Sequence, residues 1–257
     1  MSTVSFPSEI EVRENDLFTR WKAASQKPFY RDGVRQPKRF TAAHVKTLFV
    51  LREANFDGEP CDYDFRPELL CNPHPFWKDR MFPWCFGLTY HNDGSAEALW
   101  ERYKTSSPTK DTVFDTLDNF GFIQIKKCPG GAKSKATELI GAVEQDANFL
   151  REQLSIYCPD VIVACGAGNP KTFSLLQDYV FGSGQTNASN FGQYTFQKTG
   201  RRYAKINDST ISPRSVFMIE AFHPSHYKSR RDAFIRLVSD YQCLIQTHFQ
   251  IVGAAVQ

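Results

Sequence analysis

No apolar run in the 257-residue chain approaches the roughly 18–20 residues that a membrane-spanning helix requires. Residues Met1 to Lys22 lack the apolar stretch that follows a basic start in a secretory leader. No internal repeat, low-complexity tract or Gly/Ser-rich linker divides the chain, so one domain spanning 1–257 is expected. The seven cysteines (Cys61, Cys71, Cys85, Cys128, Cys158, Cys165 and Cys243) contain no C-x-x-C pair, which argues against a zinc site, an iron–sulfur cluster or a disulfide framework. Charge is nearly balanced: 31 Lys+Arg against 28 Asp+Glu leaves +3, too little to announce a nucleic-acid partner by itself. These absences predict a cytoplasmic protein with reduced thiols, no membrane association and no metal or redox cofactor.

Aromatics are abundant, with 22 Phe, 10 Tyr and 4 Trp. Most belong in a core, and a positive chain rich in rings also suits a surface that stacks bases. Residues 1–45 read as an N-terminal extension with a helix around Glu11–Ser25. The apolar runs Thr47–Leu51, Gly121–Ile125, Val161–Cys165 and Ser215–Ile219 read as four buried strands. Between the first two lies a proline- and aromatic-rich segment, 54–118, expected to be a structured but irregular insertion in which Trp77, Trp84 and Trp100 pack. Apolar residues at helical spacing mark helices over 135–157 and 231–249. A polar, Gly-rich stretch over 182–214 suits a hairpin or a mobile excursion. Strand, insertion, strand, helix, strand, excursion, strand, helix predicts a three-layer α/β/α sandwich around a mostly parallel four-stranded sheet.

In such sheets ligands bind beyond the carboxyl ends of the strands. The residues there are Arg52-Glu53-Ala54-Asn55, Lys126-Lys127-Cys128-Pro129-Gly130-Gly131, Gly166-Ala167-Gly168 and Phe222-His223-Pro224-Ser225-His226. A carboxylate can orient or deprotonate water, a histidine can stabilise a leaving anion, and glycine-rich backbone can approach phosphate. Gly166-Ala167-Gly168 is too short for a dinucleotide fingerprint.

In order and placement, these motifs resemble the uracil-DNA glycosylase superfamily across roughly residues 47–245. Leu51-Arg52-Glu53-Ala54-Asn55 is similar to its first motif, Gly-Glu-Ala-Pro-Gly, and His223-Pro224-Ser225 to its second. The likeness is nearer to an uncharacterised branch with a Lys-Glu-Ala-Asn-like first motif and a Lys-x-Pro-Gly-Gly turn, here Lys127 to Gly131. The resemblance implies that Glu53 positions water at the anomeric carbon, with Asn55 a second candidate, and that His223 stabilises the departing base. Gln124 falls near the family's base-reading Asn, and Phe56 and Tyr63 are candidates for stacking on the base. Lys127, Ser225, His226, Tyr227, Lys228, Arg230 and Arg231 would meet DNA.

Arg52, Asn55 and Gln124 depart from the uracil pattern, which favours a modified or damaged pyrimidine. A bulky modified cytosine such as the glucosylated hydroxymethylcytosine of some phages fits, as some similar superfamily members act against phages. Each residue also has a plain structural alternative: Glu53 could pair with Arg52, Asn55 could serve a left-handed turn, and the basic run could be a solvated helix start. Uracil excision in repair, an inactive nucleic-acid-binding module of the same fold and hydrolysis of free nucleosides remain open. The partner expected is DNA, phage DNA included, and the protein is expected to be a monomer.

Overall fold

The computed structural model describes residues 8–25, 27–54, 61–66, 75–130, 135–166, 168–182, 190–225 and 230–249. The chain opens with helix α1 (Glu9–Ala24), whose start is fixed reciprocally: Ser8 caps the Glu11 amide while the Glu11 carboxylate accepts from the Ser8 amide at 2.6 Å. Two short strands, β1 (Tyr30–Arg31) and β2 (Gly33–Val34), and helix α2 (Pro37–Ala42) lead into β3 (Thr47–Leu51). After β4 (Tyr63–Asp64) a π-helical turn (Trp77–Met81) runs into α3 (Phe82–Thr89), followed by α4 (Ala96–Thr105), α5 (Lys110–Leu117) and β5 (Phe120–Gln124). The second half holds α6 (Ala136–Tyr157), β6 (Val161–Cys165), α7 (Thr172–Leu175), the hairpin β7 (Phe191–Thr195) and β8 (Arg202–Ile206), β9 (Val216–Ala221) and α8 (Arg230–His248).

Among the described residues the main sheet has seven strands in the order β2-β5-β3-β6-β9-β8-β7, three more than the sequence led us to expect. β3 runs parallel to β5 and β6, with Thr47 opposite Phe120 and Val161, and β6 runs parallel to β9. β2 closes one side antiparallel to β5, and the 191–206 hairpin extends the other antiparallel to β9. Strand side chains alternate between two cores. Leu48, Val50 and Ile123 meet Leu17, Trp21 and Leu150 on one face, while Phe49, Leu51 and Phe122 meet Phe82, Trp84 and Phe234 on the other. With helices on both faces, a strand must be apolar on both sides, which is why β3 and β6 read as unbroken apolar runs.

Two other expectations are corrected. The 54–118 segment is helical over much of its length, and α3 escapes detection because Phe82 to Leu88 are all buried, so no polar stripe sets a period. The leading 1–45 segment is no appendage. Leu17, Phe18 and Trp21 are fully buried, and Gly33 adopts φ +124°, a conformation that favours glycine, with the Tyr157 hydroxyl and Glu14 packed where a Cβ would project. No described helix is long and apolar enough to cross a membrane.

Candidate functional site

Because β3, β5, β6 and β9 run parallel, the segments that follow them gather on one edge. Backbone bonds tie these segments together. Ile125 donates to Leu51 at 2.9 Å, Lys126 to Arg52 at 2.9 Å, Gly130 to Ala54 at 2.9 Å and Gly166 to Ala221 at 3.0 Å.

Glu53 lies in this edge with its side chain only 4 % exposed, and Lys126 Nζ donates to its Oε2 at 2.6 Å. Lys126 also reaches Glu138 at 3.2 Å. Burial works against the Lys126 charge, but bonding to Glu53 and its negative charge outweigh it, and the ammonium pKa is raised. Arg52 turns away from Glu53 and donates through Nη2 to the carbonyls of Gly168 (2.8 Å) and Pro170. The glycine turn after β6 is therefore occupied by an arginine of the chain itself. Gly130 lies flat against the Glu53 carboxyl, and any Cβ there would overlap it. That contact explains the glycine in the Pro129-Gly130 turn.

Gln124 ends β5 beside a narrow cleft of about 10 Å³, room for little more than one water molecule. The rings of Phe65, Trp77 and Phe122 wall it, Trp77 and Phe122 meeting edge to face at 4.9 Å, and Asp32 and Arg66 complete it. The Gln124 side-chain oxygen is buried and has no hydrogen-bond partner among the described residues, an unfavourable state unless something donates to it. Among the described residues neither Glu53 nor His223 lines this hollow.

Beneath it Asp32 accepts from the Gln124 amide (2.7 Å), from Lys127 Nζ on both oxygens (2.7 Å each) and from Gln153 Nε2 (2.8 Å). Next to this hub Glu14, fully buried, accepts from Arg66 at 2.9 Å and from the Tyr157 hydroxyl. Desolvation pushes the Glu14 carboxyl up to about 7 despite Arg66 and Tyr157, which pull it down.

His223 follows β9, half-buried, with its ring 6.3 Å from that of Phe76. The Ser225 amide donates to His223 Nδ1 at 3.2 Å. A ring nitrogen that accepts carries no proton, so the neutral imidazole carries its proton on Nε2. The Pro224-Ser225 turn thus sets the tautomer of its own histidine. Arg230 and Arg231 are exposed in the first turn of α8, with Arg231 reaching Glu101 at 3.9 Å.

Two site expectations are corrected. Lys127 is 3 % exposed, and its ammonium is held by Asp32 and lies 5.0 Å above the Trp21 ring, so it has no donor to offer a phosphate. Burial lowers its pKa against the pull of Asp32. Tyr63 packs edge-on against Tyr30 and Phe65 and borders a different hollow with Lys22 and Asp62. Phe65, two residues on, takes the place beside Gln124. Asn55, Phe56, His226, Tyr227 and Lys228 lie outside the described residues. Sequence reasoning missed Asp32, Lys126, Phe65, Arg66 and Trp77. The Lys126-Lys127 doublet was visible as a signal, but only the fold separates the lysine that meets Glu53 from the one that meets Asp32.

The six described cysteines are free thiols. Among the described residues no group of three or more His, Cys, Asp or Glu gathers as a metal site would require. No family model and no curated protein matches the chain.

Proposed function

We propose that the protein is a DNA glycosylase, similar in fold to the uracil-DNA glycosylase superfamily, that hydrolyses the N-glycosidic bond of a modified pyrimidine turned out of the helix. The observation that carries the reading is the unpartnered, buried oxygen of Gln124 beside a hollow walled by three aromatic rings. An extruded base offers what that oxygen lacks, an N–H on its Watson–Crick edge, together with a flat face for the rings, which must part to admit it because the cleft holds little more than one water in the free protein. The exocyclic amine of a cytosine derivative is one such donor, and glucosylated hydroxymethylcytosine in phage DNA is the substrate we favour.

Glu53 follows the neighbouring strand, and His223 follows a strand two spacings from β3, roughly 10 Å across the sheet. The carboxylate of Glu53, oriented by Lys126, would face the cationic sugar of the transition state and direct the attacking water, as carboxylates do in glycoside hydrolysis. Water adds to the anomeric carbon as the bond to the base nitrogen breaks, and its proton passes by way of the Glu53 carboxylate to the released base. The bonding pair leaves with the base, where the Nε2–H of His223 supports the developing charge at O2. Lys126 donates to Glu53 at 2.6 Å and to Glu138 at 3.2 Å, so this reading gives it an orienting role and the product is an intact abasic site. Ser225, Arg230 and Arg231 are the described residues that would meet phosphate.

Mass spectrometry of bases released from a panel of DNAs, including uracil-containing and glucosylated phage DNA, tests this. The expected result is release of a modified cytosine by the wild type and none by Glu53→Gln, with DNA binding kept. Release of uracil alone would make the protein a repair enzyme. Binding without release from any DNA would reduce it to a binding module, and release from free nucleosides alone would remove DNA from the proposal.

A further inference from the structure

A second hollow, of about 210 Å³, opens where Pro224 meets the first turns of α8. The rings of Trp84, Trp100 and Tyr103 wall it, and Arg80, Lys104 and Arg230 stand around it, with Asp79 the one carboxylate among the described lining residues. Trp100 and Tyr103 meet at 5.5 Å between ring centres, and Trp100 rests on Phe234 at 5.2 Å. Both rings are thus fixed from below, yet each is only half-buried. Arg80 Nη1 is buried without a hydrogen-bond partner among the described residues. A guanidinium N–H in that state is relieved by an anionic oxygen, and the surplus of cations over carboxylates favours one. An apolar partner would strip water from the cations, and an acidic peptide would leave the rings uncovered. A nucleotide uses both: its base has a face for the rings and its phosphate an oxygen for the guanidinium.

We propose that this groove binds single-stranded DNA, stacking an unpaired base on Trp100 and Tyr103 and holding its phosphate on Arg80 and Lys104. It rests on the DNA-substrate reading above, because Pro224 belongs to the turn that carries His223 and a strand leaving that turn would meet the groove next. The protein would then favour substrates with an unpaired stretch beside the target base.

Titration of the full-length protein with a short oligothymidine, read by intrinsic tryptophan fluorescence and by anisotropy of the labelled oligonucleotide, tests the groove. The wild type is expected to bind with quenching, and more tightly than it binds a blunt duplex. Trp100→Phe keeps a stacking ring, so affinity should stay within about threefold while most of the quenching disappears. Arg80→Gln with Lys104→Glu should weaken binding at least tenfold and flatten its salt dependence. Unchanged quenching in Trp100→Phe, or wild-type affinity in a charge variant whose melting curve shows it folded, would overturn the groove. The two readings fail separately. Trp100-dependent quenching without base release from any DNA removes the glycosylase, whereas base release without that quenching removes the groove.

Discussion

The ammonium of Lys126 and the carboxylate of Glu53 lie 2.6 Å apart, joining the ends of two strands across 73 residues of chain. Both side chains are nearly sealed from solvent, and a buried charge that loses its partner costs more than the pair contributes. Lys126→Met should therefore lower stability by about 2 kcal/mol and slow base release about 100-fold. Lys126→Met with Glu53→Gln should recover most of that stability without recovering activity. Urea denaturation of the three variants measures the coupling, and full additivity would show that the two groups do not interact.

Gln124 presents the opposite balance, a buried acceptor that serves nothing in the free protein. Gln124→Leu should raise stability by about 1 kcal/mol, because an unsatisfied polar atom is replaced by an apolar one. It should also abolish base release. A thermal melt shifted upward together with lost release is the expected pair of results, and a downward shift would mean that the oxygen has a partner in solution.

Asp32 accepts four bonds, two of them from an ammonium that is itself buried. Asp32→Asn leaves Lys127 charged and uncompensated, so a loss of roughly 3–5 kcal/mol is expected by chemical denaturation. Asp32→Asn with Lys127→Met should be the more stable of the two variants. Deleting residues 1–32 removes the same support and should yield no folded protein.

Glu14 gives stability a pH dependence of definite sign. Its carboxyl rises from an ordinary 4.5 to about 7 in the folded chain, so between these values the folded state holds the proton that the unfolded state has lost. Stability from this group thus falls as pH climbs through that window, and the penalty is complete above about 7. Glu14→Gln should gain on the wild type by up to roughly 3 kcal/mol between pH 5 and pH 8. Denaturation curves at the two pH values decide it, and a variant that loses ground at pH 8 would reverse the sign.

The legible parts of this fold are those governed by local pattern. Thr47–Leu51 and Val161–Cys165 announce themselves as strands because short apolar runs bounded by polar residues suit a strand covered on both faces. Of the two forms open to the 182–214 segment, its described part 191–206 holds an antiparallel hairpin. The caps Ser95 and Thr109 were available as signals for α4 and α5 but were lost among prolines and rings. What sequence could not supply is partnership at a distance. Asp32 meets Gln124, Lys127 and Gln153, each about a third of the chain away or more, and nothing in the local composition around residue 32 marks it as the support of a strand end. The same holds for Phe65 and Tyr63, neighbours on one short segment whose different hollows are fixed by packing alone.

A residue with no side chain sits against the group on which the proposed chemistry turns. Position 130 carries no acid, base or donor beyond its backbone, yet a single methyl there would collide with the Glu53 carboxyl. A mutational survey scoring turnover would rank that glycine alongside residues with reactive groups, for a reason that is purely volumetric.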